Sequence, residues 1–298
     1  MSVFALVLVV LSAIIHASWN LLGKSRTPTP AFFCLASLGA GSLLVPVVIA
    51  VLGALSSLPI DFWLLLIVSG FCQMVYMASL ARAYQYADVG MVYPIARALP
   101  VLMVAAASTV LGQSMPVQAW LGMVLVTFGC LMVPVVCFRR WHWRAYWQGG
   151  CLWALLAALG TAGYSVLDNH ALAMMAEYYQ SALTPLWVAF GYLGMQFIVT
   201  GLWLLLWCCS VSGRQQLKLG WQDRGIALLT GIMMGGTYGL VLLAMTLTEN
   251  VSYVVALRQL SIPVGIGLGI WLLHEPAHRP RLVGAGLVCL GLVAVSLR

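Results

Sequence analysis

Two arginines lie inside long apolar segments of the sequence, where a charged side chain is costly. Arg97 stands between Pro94 and Pro100 in "VYPIARALPV" (92–101), and Arg258 lies in a second segment of this kind. An arginine at the centre of a membrane-spanning helix costs roughly 2.5–3.5 kcal/mol on translocon scales, so it usually faces the interior of a helix bundle. Since a guanidinium binds a carboxylate or a phosphate through two parallel hydrogen bonds, the two arginines predict a site for an anionic group.

A structural role is the alternative for each of these arginines. The guanidinium can satisfy backbone carbonyls that a nearby proline leaves without a donor, or it can pair with the carboxylate of Asp168.

Aromatic and amide side chains of the other apolar segments are candidates for the walls of the same site. Tyr93 lies four residues before Arg97 and therefore shares its helix face. Such side chains line polar cavities, although an intramembrane amide is also often a contact between helices and a terminal aromatic is often an interfacial anchor. The candidate substrate-binding residues are Trp19, Asn20, Gln73, Tyr76, Tyr93, Arg97, Tyr164, Tyr238, Arg258 and Gln259.

Two titratable residues, His16 and Asp168, are candidates for carrying a coupling proton, because each can change its charge while keeping hydrogen bonds. Asp168 falls close to the predicted outer end of its span, which favours a solvated residue at a helix end. His16 has the alternative role of a neutral packing residue.

The segment "HEPAH" (274–278) fits the zinc-protease pattern H-E-x-x-H, which requires both histidines on one face of a helix. Pro276 lies between His274 and His278 and interrupts a continuing helix, so we expect no zinc site there. The eight cysteines form no C-x-x-C pair and are predicted to be small buried residues. The sequence therefore predicts no metal and no cofactor.

The elements that position these residues are predicted by the composition. With 63% hydrophobic and 7% charged residues and a mean hydropathy of +1.01, the chain is predicted to be an all-α integral membrane protein. A membrane helix needs roughly 20 apolar residues. Ten transmembrane helices are predicted, at 3–23, 31–53, 62–82, 89–111, 117–137, 150–170, 182–209, 225–247, 251–273 and 280–297.

The net charge of +7 comes from basic residues in the short segments between these spans, which argues against a nucleic-acid partner. The segments after the odd-numbered spans carry eleven basic residues, whereas the opposite side has only Arg298. By the positive-inside rule, the odd-numbered loops are cytoplasmic and both termini lie on the outer side.

The chain also repeats itself. A shift of 162 residues superposes Gly122 on Gly284 and Gly129 on Gly291, and Arg97 falls within one residue of Arg258. The sequence therefore predicts two five-helix repeats, 1–138 and 149–298. Because five is odd, the second repeat has the inverted orientation found in alternating-access carriers.

Several segments resemble the drug/metabolite transporter superfamily, specifically its ten-helix EamA-type carriers. These segments are "HASWNLLGK" (16–24), "ARAYQYADVGMVYPIARALPVLM" (81–103), "LGQSMPVQAWLGMVLVTFG" (111–129) and "LLHEPAHRPRLVGAGLVCLG" (272–291). The resemblance implies a central cavity between the halves and transport of small metabolites. Relatives are often drawn with cytoplasmic termini, which is the reverse of the orientation that the charges predict here.

The function predicted from these observations is a secondary transporter that moves a small polar, anionic or zwitterionic metabolite across the cytoplasmic (inner) membrane. We expect a monomer or a homodimer whose partners are the lipid bilayer, the substrate and a coupling proton. An integral-membrane hydrolase and a non-transporting membrane subunit are the alternatives.

Overall fold

The computed structural model describes residues 3–23, 29–55, 58–86, 89–135, 137, 149–179, 183–212, 220–274 and 276–296. Within these ranges the regular secondary structure is entirely helical, so the predicted all-α class is confirmed. The α-helices are α1 (Val3–Gly23), α2 (Pro30–Leu43), α3 (Val45–Leu55), α4 (Ile60–Tyr86), α5 (Val89–Val110), α6 (Val117–Met132), α7 (Gly149–Tyr179), α8 (Pro185–Trp207), α9 (Arg224–Thr246), α10 (Val251–Leu257), α11 (Ser261–Leu273) and α12 (Arg279–Ser296).

Many of these helices have the length and composition of membrane spans. Six described helical segments, one of which runs from α10 through a short turn into α11, are long and apolar enough to cross a bilayer, and the pair α2 and α3 is a seventh if it forms one bent span. Three shorter apolar stretches, Val3–Ala17, Ile95–Val110 and Val117–Met132, fall where the sequence predicts three further spans. A helix satisfies its own backbone hydrogen bonds, which is what a chain in hydrocarbon requires. The chain is therefore a multi-pass membrane protein.

Local sequence signals explain where two of the helices begin. The Thr29 hydroxyl accepts a hydrogen bond from the Phe32 backbone N–H at 3.2 Å, and Pro30 occupies the first turn of α2. The Asn250 side chain caps α10 by accepting from the Ser252 backbone N–H at 2.9 Å. Both caps satisfy donors that the first turn of a helix leaves without a partner.

Two spans that the sequence predicts as continuous helices are broken. The second span bends by 51° between α2 and α3, where Pro46 lacks the N–H that would continue the helical bonding. The ninth span contains a 3₁₀ turn, Arg258–Leu260, between α10 and α11, and Pro263 follows it. The second break places a candidate site residue on a turn of irregular backbone.

The sixth span is longer than predicted. It was expected at 150–170, whereas α7 continues to Tyr179. The added segment "ALAMMAEYY" (171–179) contains three alanines, two methionines and one leucine, which favour helix even where hydropathy falls. Asp168 consequently lies well inside α7.

The helices pack into one bundle. Helix α4 lies against α7, α1 against α9, and α8 against both α2 and α3. The core contains large, fully buried side chains from several of these helices, including Phe62, Met123, Tyr192, Phe197 and Leu242. Helix α7 contacts both α4 and α9, so the predicted site residues of these three helices lie on neighbouring elements.

Small residues bring α6 and α12 into close contact. A Cβ atom added at Gly291 would lie 2.6 Å from the backbone oxygen of Gly122, and one added at Gly284 would lie 2.6 Å from that of Gly129. At Gly286, on the same helix, nothing lies within 4 Å of an added Cβ. Glycine therefore serves close helix packing at Gly284 and Gly291, as membrane helices favour.

The cysteines only partly match their predicted burial. Cys34, Cys130, Cys151 and Cys208 are buried and Cys72 is intermediate, but the exposed cysteines are Cys137, Cys209 and Cys289. The prediction of burial is wrong for these three. Cys289 lies on α12, where an apolar residue can face lipid as well as the protein core, whereas Cys137 and Cys209 lie beyond the ends of α6 and α8.

Candidate functional site

The structure brings Arg97 and the backbone of Arg258 into direct contact. Arg97 Nη2 donates to the Arg258 carbonyl oxygen at 3.2 Å and to Ser261 Oγ at 2.7 Å. Arg97 is only 7% exposed, so its charge lies inside the bundle. One side-chain length therefore connects Arg97 to the turn that carries Arg258. The break in the ninth span makes this contact possible, because the turn directs the Arg258 carbonyl towards Arg97 on α5.

Arg97 also performs part of the structural role that the sequence left open. The Arg258 carbonyl accepts from Ser261 Oγ at 2.9 Å as well as from the guanidinium. These acceptors are neutral, and they lie on the broken helix rather than beside the prolines of Arg97's own helix.

Three of the predicted tyrosines form a row beside Arg258. Tyr76 on α4 lies 6.0 Å from Tyr164 on α7, and Tyr164 lies 5.6 Å from Tyr238 on α9, measured between ring centroids. The guanidinium carbon of Arg258 lies 5.4 Å from the centroid of the Tyr238 ring, within the range of a cation–π contact. Arg97, Arg258 and these tyrosines, which we call the arginine–tyrosine cluster, thus come from α4, α5, α7, α9 and the 3₁₀ turn.

His16 on α1 lies near the arginine–tyrosine cluster. It is close enough to Arg97 and Arg258 to interact electrostatically with both guanidiniums. One turn earlier on the same helix, Ser12 Oγ donates to the backbone oxygen of Thr237 at 2.8 Å, which ties α1 to the part of α9 that carries Tyr238.

The other predicted substrate-binding residues are placed less directly. The side chains of Trp19, Asn20 and Tyr93 lie outside the part of the chain that the structure describes. Gln259 is 3% exposed, and its Nε2 donates to the Val255 backbone oxygen of its own span at 3.3 Å. Gln259 is thus next to the cluster in sequence but uses its amide N–H locally.

Gln73 does not join the arginine–tyrosine cluster. Its Oε1 accepts a hydrogen bond from Thr200 Oγ1 at 3.1 Å, and both side chains are buried between α4 and α8. This is the interhelical contact that was the alternative for an intramembrane amide.

Asp168 corrects the sequence prediction most clearly. Its side chain is 0% exposed and is surrounded by hydrogen-bond donors, so it is not a solvated residue at a helix end. Oδ1 accepts from Ser69 Oγ and from Tyr192 Oη at 2.7 Å. Oδ2 accepts from Gln196 Nε2 at 2.7 Å and from Tyr238 Oη. The prediction was wrong because α7 continues past the expected end of its span.

The same hydrogen bonds answer the question of whether an arginine pairs with Asp168. All four donors to the carboxylate are neutral side chains. Tyr238 stands between the charges, with its ring under Arg258 and its hydroxyl on Asp168.

Sequence reasoning missed four polar residues of this region, although a signal for three of them was present. Tyr192, Gln196 and Thr200 follow one another at four-residue spacing on α8, and Ser69 and Gln73 do so on α4. In a helix that is otherwise apolar, such spacing marks one polar face. The polar faces of α4 and α8 carry three of the missed residues, Ser69, Tyr192 and Gln196. The fourth missed residue, Ser261, has no comparable signal in the sequence.

The histidines of "HEPAH" are not held on one helix. His274 ends α11 in the left-handed conformation, with φ 53°, and His278 precedes α12. This confirms that Pro276 prevents helical spacing. In the described parts of the chain, no group of three or more His, Cys, Asp or Glu side chains is placed to hold a metal ion.

Comparison with known proteins places this geometry in context. The sequence model of the EamA-like transporter family matches residues 3–134. A solved structure described as "Crystal structure of protein" is similar over 98% of both chains, with a TM-score of 0.68 and 16% sequence identity, which shows that the two share a fold. None of the curated protein sequences matches the chain.

Proposed function

Since residues 3–134 match the EamA-like transporter family, we propose that this membrane protein is a transporter of the drug/metabolite transporter superfamily, and an alternating-access carrier for a small polar, anionic or zwitterionic metabolite. The family consists of transporters rather than enzymes. The substrate class and the alternating-access mechanism are proposals.

The observation that carries the proposal is the arginine–tyrosine cluster. It joins two guanidiniums to a row of three aromatic rings inside a bundle of apolar helices. Guanidiniums bind carboxylates and phosphates in a fixed two-point geometry, and tyrosines supply flat walls with polar edges. Arg97 and Arg258 would hold the anionic group, while Tyr76, Tyr164 and Tyr238 would contact the rest of the substrate. The further substrate-binding residues proposed are Trp19, Asn20, Tyr93 and Gln259.

Helix contacts support the proposal that 1–138 and 149–298 are inverted five-helix repeats. The contact of α4 with α7 has a counterpart in that of α1 with α9, as exchange of the two repeats requires. The contact of α6 with α12 maps onto itself, because the 162-residue shift converts the pair Gly122–Gly291 into the pair Gly284–Gly129. Ten spans and two repeats of opposite orientation would provide the two halves that alternating access needs.

Counterflow in proteoliposomes tests the carrier function. Vesicles that contain the purified protein are loaded with unlabelled carboxylates, phosphates or zwitterionic amino acids and mixed with trace labelled compound outside. Transient uptake above that of protein-free vesicles is expected for at least one anionic or zwitterionic compound. Counterflow of cations alone contradicts the substrate class, and a complete panel without counterflow favours a non-transporting subunit.

A coupling proton is proposed to bind at His16, with Asp168 as the second candidate. A proton on His16 would add a third positive charge beside Arg97 and Arg258. Proton binding and anion binding would then favour each other, and the coupling is reciprocal by thermodynamic necessity.

An imposed pH gradient checks this coupling. With the acidic side on the side of the labelled substrate, we expect accumulation against the substrate gradient, and His16→Gln should abolish accumulation while keeping counterflow. Uptake that is unchanged when the gradient is imposed or collapsed would make facilitated exchange the mechanism.

The proposed location is the cytoplasmic membrane, with both termini on the outer side. The support is the excess of eleven basic residues in the odd-numbered loops over Arg298 on the other side. A reporter that is active only outside the cytoplasm, fused after Arg298, should be active. Activity of a cytoplasmic reporter at the same position would reverse the topology.

A further inference from the structure

Gln259 carries a buried acceptor that no described residue supplies with a donor. Its side chain is 3% exposed, and its Oε1 atom is buried without a hydrogen-bond partner in the described part of the chain. Its Nε2 donates to the Val255 backbone oxygen at 3.3 Å, so a flipped amide would place one carbonyl oxygen against another. Buried polar atoms in folded proteins nearly always have a partner, which makes this oxygen a candidate for contact with a ligand.

This acceptor lies in the turn that connects the two arginines. Gln259 is the middle residue of the 3₁₀ turn Arg258–Leu260. Arg97 donates to the Arg258 carbonyl oxygen at 3.2 Å and to Ser261 Oγ at 2.7 Å. These two acceptors flank Gln259 in the sequence, so its amide belongs to the segment that the Arg97 guanidinium contacts.

The side chain of Gln259 lies on the face of its span that packs against α5. Ser252 precedes Gln259 by about two helical turns, so the two residues share a face. On that face, Ser252 Oγ hydrogen-bonds to Ser108 Oγ of α5 at 3.0 Å. Because α5 also carries Arg97, the amide oxygen of Gln259 is directed towards the helix that holds the proposed anion-binding guanidinium.

We propose that Gln259 Oε1 accepts a hydrogen bond from the substrate, so that the carrier selects a small acid that bears a hydroxyl or an ammonium group close to its anionic group. An acid of the same size that lacks such a donor binds more weakly. This proposal rests on the proposed carrier function and narrows the substrate class of the same site.

The chemistry of an amide oxygen determines which part of the substrate Gln259 contacts. The oxygen offers only lone pairs, so it repels the oxygens of a carboxylate or a phosphate. Gln259 Oε1 therefore contacts an N–H or O–H of the substrate rather than its anionic group. A ligand without that donor would cover the oxygen without bonding to it, which lowers the affinity about tenfold relative to a ligand that has the donor.

Gln73 provides a matched control. It is also a buried glutamine of a membrane span, at 4% exposed, but its Oε1 accepts from Thr200 Oγ1 at 3.1 Å. Methionine is unbranched like glutamine and lacks the amide, so it fills the space of either side chain. Gln73→Met therefore removes an acceptor that has a protein donor, whereas Gln259→Met removes one that has none among the described residues.

Unfolding of the two variants in detergent micelles, without ligand, tests whether the protein itself supplies a donor to Gln259 Oε1. Gln73→Met should raise the unfolding equilibrium constant about tenfold, because Thr200 loses its acceptor. Gln259→Met should change it by less than about threefold, because removal of a buried acceptor without a donor offsets the loss of the bond to Val255. An equal cost in the two variants would mean that a protein group donates to this oxygen, and would overturn the proposal.

Binding of propionate, lactate and alanine to the purified protein tests the selectivity. Lactate and alanine differ from propionate by one hydroxyl and one ammonium group on the carbon next to the carboxylate. The parent should bind at least one of the two about tenfold more tightly than propionate, and the tighter of the two identifies the donor. This ratio should fall to about twofold or less in Gln259→Met and should be kept in Gln73→Met, with titrations normalised to folded protein.

The same titrations separate failure of this proposal from failure of the proposed function. If propionate binds the parent as tightly as lactate and alanine, or if Gln259→Met keeps the ratio of the parent, Gln259 does not select a donor and the proposal is wrong while the anion site stands. If none of the three acids binds the parent, the proposed anion site is wrong and the selectivity falls with it.

Discussion

Replacing Arg97 by glutamine is expected to lower substrate affinity about 100-fold per folded molecule, which corresponds to the loss of two charge-assisted hydrogen bonds. Two acceptors of the guanidinium, the Arg258 carbonyl and Ser261 Oγ, are neutral. A carboxylate or a phosphate is a stronger acceptor and would replace them. Arg97→Lys keeps the charge but loses the forked geometry, so its affinity should fall by about tenfold. Equilibrium binding of the compound that counterflow identifies, normalised to folded protein, measures both.

Ser261→Ala is the matched control for this prediction. It removes a hydroxyl that accepts from Arg97 and leaves the guanidinium in place. If Arg97 binds the substrate, the Ser261→Ala variant should bind the substrate at least as tightly as the parent, because the Ser261 hydroxyl no longer competes for the guanidinium. If Arg97 serves only to hold the 3₁₀ turn in place, Arg97→Gln and Ser261→Ala should both reduce the amount of folded protein and leave the substrate affinity of the folded fraction unchanged. That outcome would contradict the proposal that Arg97 binds an anionic group of the substrate.

Six of the spans that hydropathy predicted coincide with described helical segments that are long and apolar enough to cross a bilayer, because a spanning segment must be apolar over the thickness of the bilayer. Hydropathy predicted ends and breaks less well. Asp168 was placed at a helix end because hydropathy falls after it, but helix propensity carries α7 on to Tyr179. The breaks at Leu44 and Arg258 lie beside Pro46 and Pro263, but hydropathy does not detect them because the helices on both sides are apolar.

The site was predictable by residue type and only partly by position. An arginine in an apolar segment has few alternatives to the bundle interior, so Arg97 and Arg258 could be found. Gln73 and Gln196 could not be told apart in this way, because each lies on the polar face of a helix that is otherwise apolar. The four-residue spacing marks that face, but it does not show which residues of the neighbouring helices the face contacts. The structure decides that Gln196 reaches Asp168 and that Gln73 reaches Thr200.

Gly291→Ala is expected to destabilise the protein by about 2 kcal/mol, because the added methyl group would overlap the backbone of α6. Its Cβ would lie 2.6 Å from the Gly122 oxygen and 2.8 Å from the Val126 backbone nitrogen, and neither atom can move without shifting the helix. Gly286→Ala adds the same methyl group to the same helix in open space. Since alanine favours helix over glycine, that variant should be unchanged or about 0.5 kcal/mol more stable.

Unfolding in detergent micelles, followed in parallel for these variants, measures the difference. The inverted repeats add a further requirement, because the 162-residue shift relates Gly129 to Gly291. A Cβ at Gly129 would lie 2.7 Å from the Gly284 oxygen, so Gly129→Ala should cost as much as Gly291→Ala. Equal stability of Gly291→Ala and Gly286→Ala would contradict the close contact of α6 with α12. A cost at Gly291 alone would keep the contact and contradict the equivalence of the two repeats.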